Sequence, residues 1–314
     1  MTMDYTEQTA WRDIQAHLPT DFQLTPATMP DTEWWAHQGH RIHLDTYRNP
    51  AAKVKVILFH GVGTNGRQMT TILGRPLASR GHETIAIDMP TYGVTEVAPH
   101  ALVTYDDWVQ IGSDLIDREL ARDDRPIVLF GLSAGGMETF HVAAQNRKVN
   151  GIVGMTFLDQ RVPEVARETA FDPVTGALGG RLMRLLARTP LRRLRLPMRL
   201  VSKMRALVND KTALRTCLKD KTSAGNSASI AFLDSYLNYQ PAMEPEEFNV
   251  CPILLTQPAA DRWTPRHLSE LVLDRVAQVP VTVVELENGS HYPIEETALR
   301  QMVDAVDAFA AGVA

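Results

Sequence analysis

Gly131-Leu132-Ser133-Ala134-Gly135 places a serine hydroxyl where an apolar run, PIVLF, gives way to a helical pattern, AGGMETFHVAAQN. A serine at such a strand-to-helix turn is held in a strained backbone conformation. Residues two positions away must be small so that strand and helix can approach each other. Gly131, Gly135 and Gly136 meet that need. A hydroxyl is a weak nucleophile, so the chemistry this spacing offers requires a base to take the proton and an acid to orient the base. With both in place, Ser133 would attack an acyl carbon.

Two histidines follow Ser133 at a distance, His267 and His291. His267 falls inside a predicted helix, whereas His291 lies in the loop Asn288-Gly289-Ser290-His291-Tyr292-Pro293 after the last predicted strand. The loop position is the one open to a base, and its competing reading is a surface histidine. The order serine, acid, histidine asks for a carboxylate between them, on the loop after the preceding strand. Asp261, in QPAADRWTP, sits there and would accept a hydrogen bond from one ring nitrogen of His291. Asp159, after the run GIVGMTFL, is a rival, and either carboxylate could instead cap a following helix. Attack would leave negative charge on the former carbonyl oxygen. Its expected donors are the backbone N–H groups of Ala134 and of Val62, in the turn His60-Gly61-Val62-Gly63. His60 itself is expected to tie down that turn.

The elements that must hold these residues follow from the patterning. Residues 34–48 alternate bulky and polar side chains around Gln38-Gly39, which predicts a β-hairpin. Thereafter continuous apolar runs alternate with helical stretches. The runs are VKVILF from Val54, ETIAID, PIVLFGL and GIVGMTFL, then, after an interruption, PILLTQ and VPVTVVEL. Such runs mark strands buried on both faces of a parallel sheet, joined by right-handed crossovers, so the fold class is α/β. Residues 159–249 interrupt the rhythm with helical, Arg- and Leu-rich sequence. The expected organisation is a core of 1–158 and 250–314 with a helical cap, 159–249, inserted over the sheet. Residues 1–33 receive no role beyond a helix around Trp11 to His17.

The succession of a QG hairpin, VILFHGVG, AIDMPTYG, GLSAGG, PAAD and GSH resembles the α/β-hydrolase superfamily, especially its monoacylglycerol lipase, lysophospholipase and serine aminopeptidase-like branch. The resemblance runs from about Trp35 to the C-terminus, the cap excepted. It implies a capped hydrolase of esters or amides that forms an acyl-enzyme and needs no cofactor. Two departures stand out. Many relatives carry Asp-x-x-Gly-x-Gly-x-Ser, whereas Asp88 to Thr95 keeps only the aspartate and one glycine, and the cap matches no family pattern.

Arg181 to Arg205 reads RLMRLLARTPLRRLRLPMRLVSKMR, rich in arginine and free of acids, with Pro190 and Pro197 breaking it into short helices. Leu182, Leu185 and Leu186, and again Leu200, Val201, Met204 and Val208, recur at helical spacing. One reading is a lid whose basic face meets an anionic membrane surface or an anionic substrate. The other is a solvated basic face, balanced by acids such as Glu244 to Glu247, whose apolar side packs on the core. The net charge of -5 offers no general attraction to nucleic acid. No run reaches the ~18 apolar residues of a spanning helix. The two cysteines, Cys217 and Cys251, have no metal-ligand spacing and fit buried thiols in a reducing compartment, so a cytoplasmic protein is expected. The functional expectation is a serine hydrolase of the esterase or lipase kind acting on a carboxylic ester, with lipid and lysolipid esters among the candidate substrates. Its alternatives are a thioesterase, an acyltransferase, a carbon–carbon bond hydrolase or a non-catalytic ligand-binding homologue.

Overall fold

A computed structural model describes residues 4–313. After a short helix α1 (Ala10–Gln15), the hairpin β1 (Asp31–His37) and β2 (His40–Tyr47) turns through Gln38 and Gly39, both at positive φ. The right-handed twist of paired strands favours such a turn, which glycine makes at little cost. The hairpin pairs antiparallel with β4 (Glu83–Ile87), which joins a parallel array of β3 (Lys55–Phe59), β5 (Ile127–Gly131), β6 (Gly151–Gly154), β9 (Ile253–Pro258) and β10 (Val281–Leu286). The order across the eight strands is β1-β2-β4-β3-β5-β6-β9-β10. The strands that read as unbroken apolar runs, β3, β5, β6 and β9, are buried along their whole length, as central parallel strands must be.

Helices cover the two faces. After β3 the chain forms α2 (Gly66–Met69), a π-helical turn over 70–74 and α3 (Arg75–Ser79), the stretch read as one helix in the sequence. A full capping box of Thr104 and Asp107 starts α4 (Tyr105–Leu120). Helix α5 (Ala134–Asn146) follows β5 through Leu132 and Ser133 alone. The insertion contributes α6 (Pro163–Thr169), α7 (Pro173–Ala187), α8 (Met198–Val201), α9 (Lys211–Cys217) and α10 (Ile230–Leu237). It is not wholly helical: Arg195–Pro197 (β7) and Ser227–Ser229 (β8) form a small antiparallel pair. Pro190 opens a 3-10 turn and Pro197 ends β7, so the prolines break the basic run as expected. Helices α11 (His267–Leu273) and α12 (Glu296–Gly312) complete the chain.

One apolar cluster runs from the sheet into the insertion, where Met198, Met204, Leu207 and Phe232 join it. Among the described residues no helix is long and apolar enough to cross a membrane.

The N-terminal residues have a place in this core. Arg67 forms a buried two-bond pair with Asp45, at 2.6 and 2.8 Å, under the rings of Tyr5 and Trp11, 4.3 and 4.9 Å from its guanidinium carbon. Tyr5 also donates to Asp88.

Candidate active site

Strand β5 delivers Ser133 to the first turn of α5 with φ 56° and ψ -121°, outside the regions that ordinary residues occupy. The close approach that this turn demands is measurable. A Cβ on Gly131 would stand 1.9 Å from the Gly135 carbonyl oxygen, and one on Gly136 would stand 2.0 Å from that of Thr156. The strand-to-helix reading of the motif therefore describes the local structure, and the strain sits on the serine.

The loop after β9 carries Asp261, and the loop after β10 carries His291, both buried. His291 Nδ1 donates to Asp261 Oδ2 at 2.8 Å. The carboxylate is fixed from the other side by the N–H groups of Trp263 and Thr264, at 2.7 and 2.9 Å on Oδ1. The Thr264 hydroxyl donates to Oδ2 at 2.7 Å and lies 3.1 Å from His291 Nδ1. Burial alone would raise the Asp261 pKa, but the His291 ring and the Thr264 donors hold it below the usual carboxylate value. The Trp263 indole lies over the His291 ring, with centroids 4.7 Å apart.

His291 Nε2 is buried and has no hydrogen-bond partner among the described residues. The structure thus joins Asp261 to His291 directly and leaves Nε2 free, without a hydrogen bond to Ser133. Such contacts tend to tighten only when substrate is bound. Ser133 and Trp263 line the same cavity, of about 650 Å³, between the sheet and the insertion.

Asp159 does not join His291. Its strand ends at Gly154, and its carboxylate is held by the Arg161 side chain at 2.7 to 3.1 Å and by the Arg161 N–H at 2.9 Å. Arg161 in turn pairs with Glu244. His267 is exposed, 3.5 Å from Glu164.

Val62 also lines the cavity, and the turn containing it abuts the serine turn. A Cβ on Gly61 would come 2.8 Å from Ser133 Cβ and 3.5 Å from the Ala134 nitrogen. Among the described residues neither the Val62 nor the Ala134 N–H is paired with a loop acceptor. His60 does tie down its loop: it is buried, Nδ1 lies 2.9 Å from the Gly61 carbonyl oxygen, and Nε2 accepts from Met89 N–H at 3.0 Å. Burial lowers its pKa, which keeps the ring neutral.

Three features escaped the sequence. Thr264, with a donor on the Asp261–His291 pair, was signalled only by its place three residues after Asp261, where an Asx turn puts a backbone donor and a hydroxyl. Glu138 in α5 is fully buried, neither carboxyl oxygen has a hydrogen-bond partner among the described residues, and burial pushes its pKa well up. The third is the outer face of the insertion. Leu182, Leu185 and Leu200, placed at helical spacing as if to pack on the core, are 49, 63 and 58 % exposed, and Met183 turns inward instead. Of ten exposed large apolar side chains among the described residues, eight lie between Phe171 and Leu200. Glu244 and Glu246 pair with Arg161 and Arg275, not with the arginines of 181–205. Both thiols are buried and pushed up to about 12.

Comparison with known proteins adds the following. A sequence model of the Alpha/beta hydrolase family matches residues 56–305. Solved structures similar to the chain include a monoacylglycerol lipase from Paleococcus ferrophilus, at 19% identity and TM-score 0.68, covering 87% of this chain and 99% of that one. A soluble variant of monoglyceride lipase from Saccharomyces cerevisiae, in complex with a substrate analog, matches at 16% identity and TM-score 0.70 over 94% of this chain and 97% of that one. Est1E from Butyrivibrio proteoclasticus, with ferulic acid bound, matches at 16% identity and TM-score 0.62 over 90% and 98%. No curated protein sequence matches the chain.

Proposed function

Since the chain belongs to the Alpha/beta hydrolase family, we propose that it is a serine hydrolase that cleaves a carboxylic ester through an acyl-Ser133 intermediate. The observation that carries this reading is the buried Asp261–His291 pair, with Nε2 unengaged, beside a cavity whose wall includes a serine at φ 56°. In the proposed cycle His291 Nε2 takes the Ser133 proton as Oγ attacks the ester carbonyl. The N–H groups of Val62 and Ala134 receive the oxyanion. His291 then gives the proton to the departing alcohol, and water activated by the same nitrogen releases the acid. Asp261 fixes the tautomer with its proton on Nδ1 and stabilises the imidazolium that forms. No step asks for a metal or an organic cofactor.

The exposed face of the insertion supports contact with an anionic membrane surface. Val174, Leu178, Leu182 and Leu185 fall within one stripe of α7, and Leu191, Leu194 and Leu200 extend the apolar surface between Arg188, Arg192, Arg193 and Arg199. Leucines insert while arginines meet phosphate groups.

A fluorophosphonate probe tests the chemistry. Wild type should be labelled stoichiometrically and Ser133→Ala should not. Equal labelling of the two proteins removes Ser133 from the mechanism, and absence of labelling in wild type favours a non-catalytic binding protein.

A further inference from the structure

The cavity wall carries no aspartate or glutamate, yet it carries four arginines: Arg161, Arg167, Arg181 and Arg184. Arg161 is neutralised by Asp159 and Glu244. The other three are not. Arg167 and Arg181 have no ion pair among the described residues, and Arg184 meets only the neutral amide oxygen of Asn238. All three are exposed, whereas Ser133 and Val62, which line the same cavity, are buried. Between them the wall is largely apolar, with Met183, Met198, Leu233 and Trp263. The arrangement is an apolar passage with the reactive hydroxyl at its buried end and uncompensated positive charge at its mouth.

A neutral ester gains nothing from three unpaired guanidinium groups. An anion held there gains from each, because no acid on the wall opposes it and planar guanidinium forks fit carboxylate and phosphate oxygens. We propose that the cavity selects carboxylic esters bearing an anionic group, carboxylate or phosphate, several bonds from the scissile carbonyl. This rests on the serine-hydrolase reading above and names its substrate class. Arg167, Arg181 and Arg184 determine specificity by binding the charged end, and the apolar wall takes the chain between charge and ester.

Three soluble p-nitrophenyl esters of matched length test it: one whose acyl chain ends in carboxylate, one ending in phosphate, and one ending in the neutral methyl ester of the first. All are used as monomers without vesicles, so that attraction to a membrane plays no part. The readout is the ratio of kcat/KM, anionic over neutral, within each protein. Wild type should show a ratio of about ten or more at low salt, falling towards one in 0.5 M NaCl. In the triple variant Arg167→Gln, Arg181→Gln, Arg184→Gln, whose sites are exposed and whose fold is checked by circular dichroism, the ratio should be near one at both salts. Preference for the phosphate ester over the carboxylate ester, or the reverse, tells which anion the mouth was shaped for. A wild-type ratio at or below one, or a high ratio that survives in the triple variant, overturns the proposal. If Ser133 is labelled by the fluorophosphonate and the ratio is still one, the specificity inference alone has failed. If Ser133 is not labelled and no ester is cleaved, the serine-hydrolase reading has failed and carries this one with it.

Discussion

Exchanging oxygen for nitrogen at Asp261 separates its role from that of Asp159. In Asp261→Asn the amide oxygen is dictated by its neighbours: Oδ1 accepts the Trp263 and Thr264 N–H groups at 2.7 and 2.9 Å, so the new NH₂ must occupy the place of Oδ2. That places a donor against His291 Nδ1, which is 2.8 Å away and donates in the wild type. The ring relieves the clash by moving its proton to Nε2, the atom that has to accept from Ser133. A wrong tautomer of this kind costs about 10⁴-fold in kcat, or about 5.4 kcal/mol of transition-state stabilisation. Two of the loop's hydrogen bonds survive, so the fold should persist. Asp159→Asn keeps an amide oxygen at the Oδ1 position for the Arg161 N–H and Nε, loses the Nη2 contact at Oδ2, and touches no part of the His291 pair, so activity should stay within about threefold of wild type. The assay is kcat on an ester of demonstrated turnover, with thermal melts on all three proteins. If Asp261→Asn keeps more than about a tenth of the wild-type rate, or Asp159→Asn loses more than Asp261→Asn does, the acid has been misassigned.

Three further outcomes are expected. Gly136→Ala drives a methyl group to within 2.0 Å of the Thr156 carbonyl oxygen and should cost about 3 kcal/mol by denaturant titration; a variant as stable as wild type would show that helix and strand are not so closely apposed. Glu138 has its folded pKa above the ordinary value of 4.5, so the native state binds more protons than the unfolded one once the pH exceeds 4.5, and stability falls as pH rises through that window by up to about 1.4 kcal/mol per pH unit. Glu138→Gln should therefore match wild type near pH 4 and exceed it near pH 8, and parallel pH profiles would contradict the neutral buried carboxyl. In vesicle flotation the protein should float with phosphatidylglycerol vesicles and not with phosphatidylcholine, and Leu178→Ser with Leu185→Ser should weaken this about tenfold; equal flotation with both lipids would remove the arginines from the contact.

The parts legible in the sequence were those set by local rules. Helix α5 spans the residues its pattern marked, Ala134–Asn146, because the glycines that admit the serine turn also fix where the helix begins. The hairpin was visible from Gln38-Gly39 for the same reason, a backbone conformation demanded at two adjacent residues. Asp159 shows where local reading stops. The apolar run GIVGMTFL continues to Leu158, but ladder pairing ends at Gly154, so the carboxylate lies further from the sheet than the run suggested and folds back onto Arg161. Helical spacing correctly grouped Leu182 with Leu185, yet periodicity states which residues share a face and not which way the face points. Here the neighbouring position, Met183, took the core side. The Tyr5, Asp45, Arg67 and Asp88 cluster was invisible because it joins residues 22 to 83 positions apart, and only Asp88, through its loop motif, stood out in the sequence, with nothing to name its partners.

The hydrogen bonds around the site also limit how the cavity can open. The His291 loop is tied to the insertion by Tyr292 N–H on the Leu207 carbonyl and by Asn209 N–H on Ser290 Oγ, while Asn209 Nδ2 reaches the Ala260 carbonyl beside Asp261. Trp263, whose ring is tilted 36° against that of His291, donates to the Thr169 carbonyl at the end of α6. Displacing residues 204–209 or the end of α6 would therefore pull on the acid and the base together. Helix α7 has no such tie: it lies between Asp172 and Arg188, packs on α6 and α10, and makes few polar contacts beyond Arg184 with Asn238. It also carries Arg181, Arg184 and the exposed Val174–Leu185 stripe. A movement of α7 would break none of the hydrogen bonds that hold Asp261 and His291, so Arg181 and Arg184 on this helix could shift with a charged group while Arg167, on α6, stays with the Thr169–Trp263 tie.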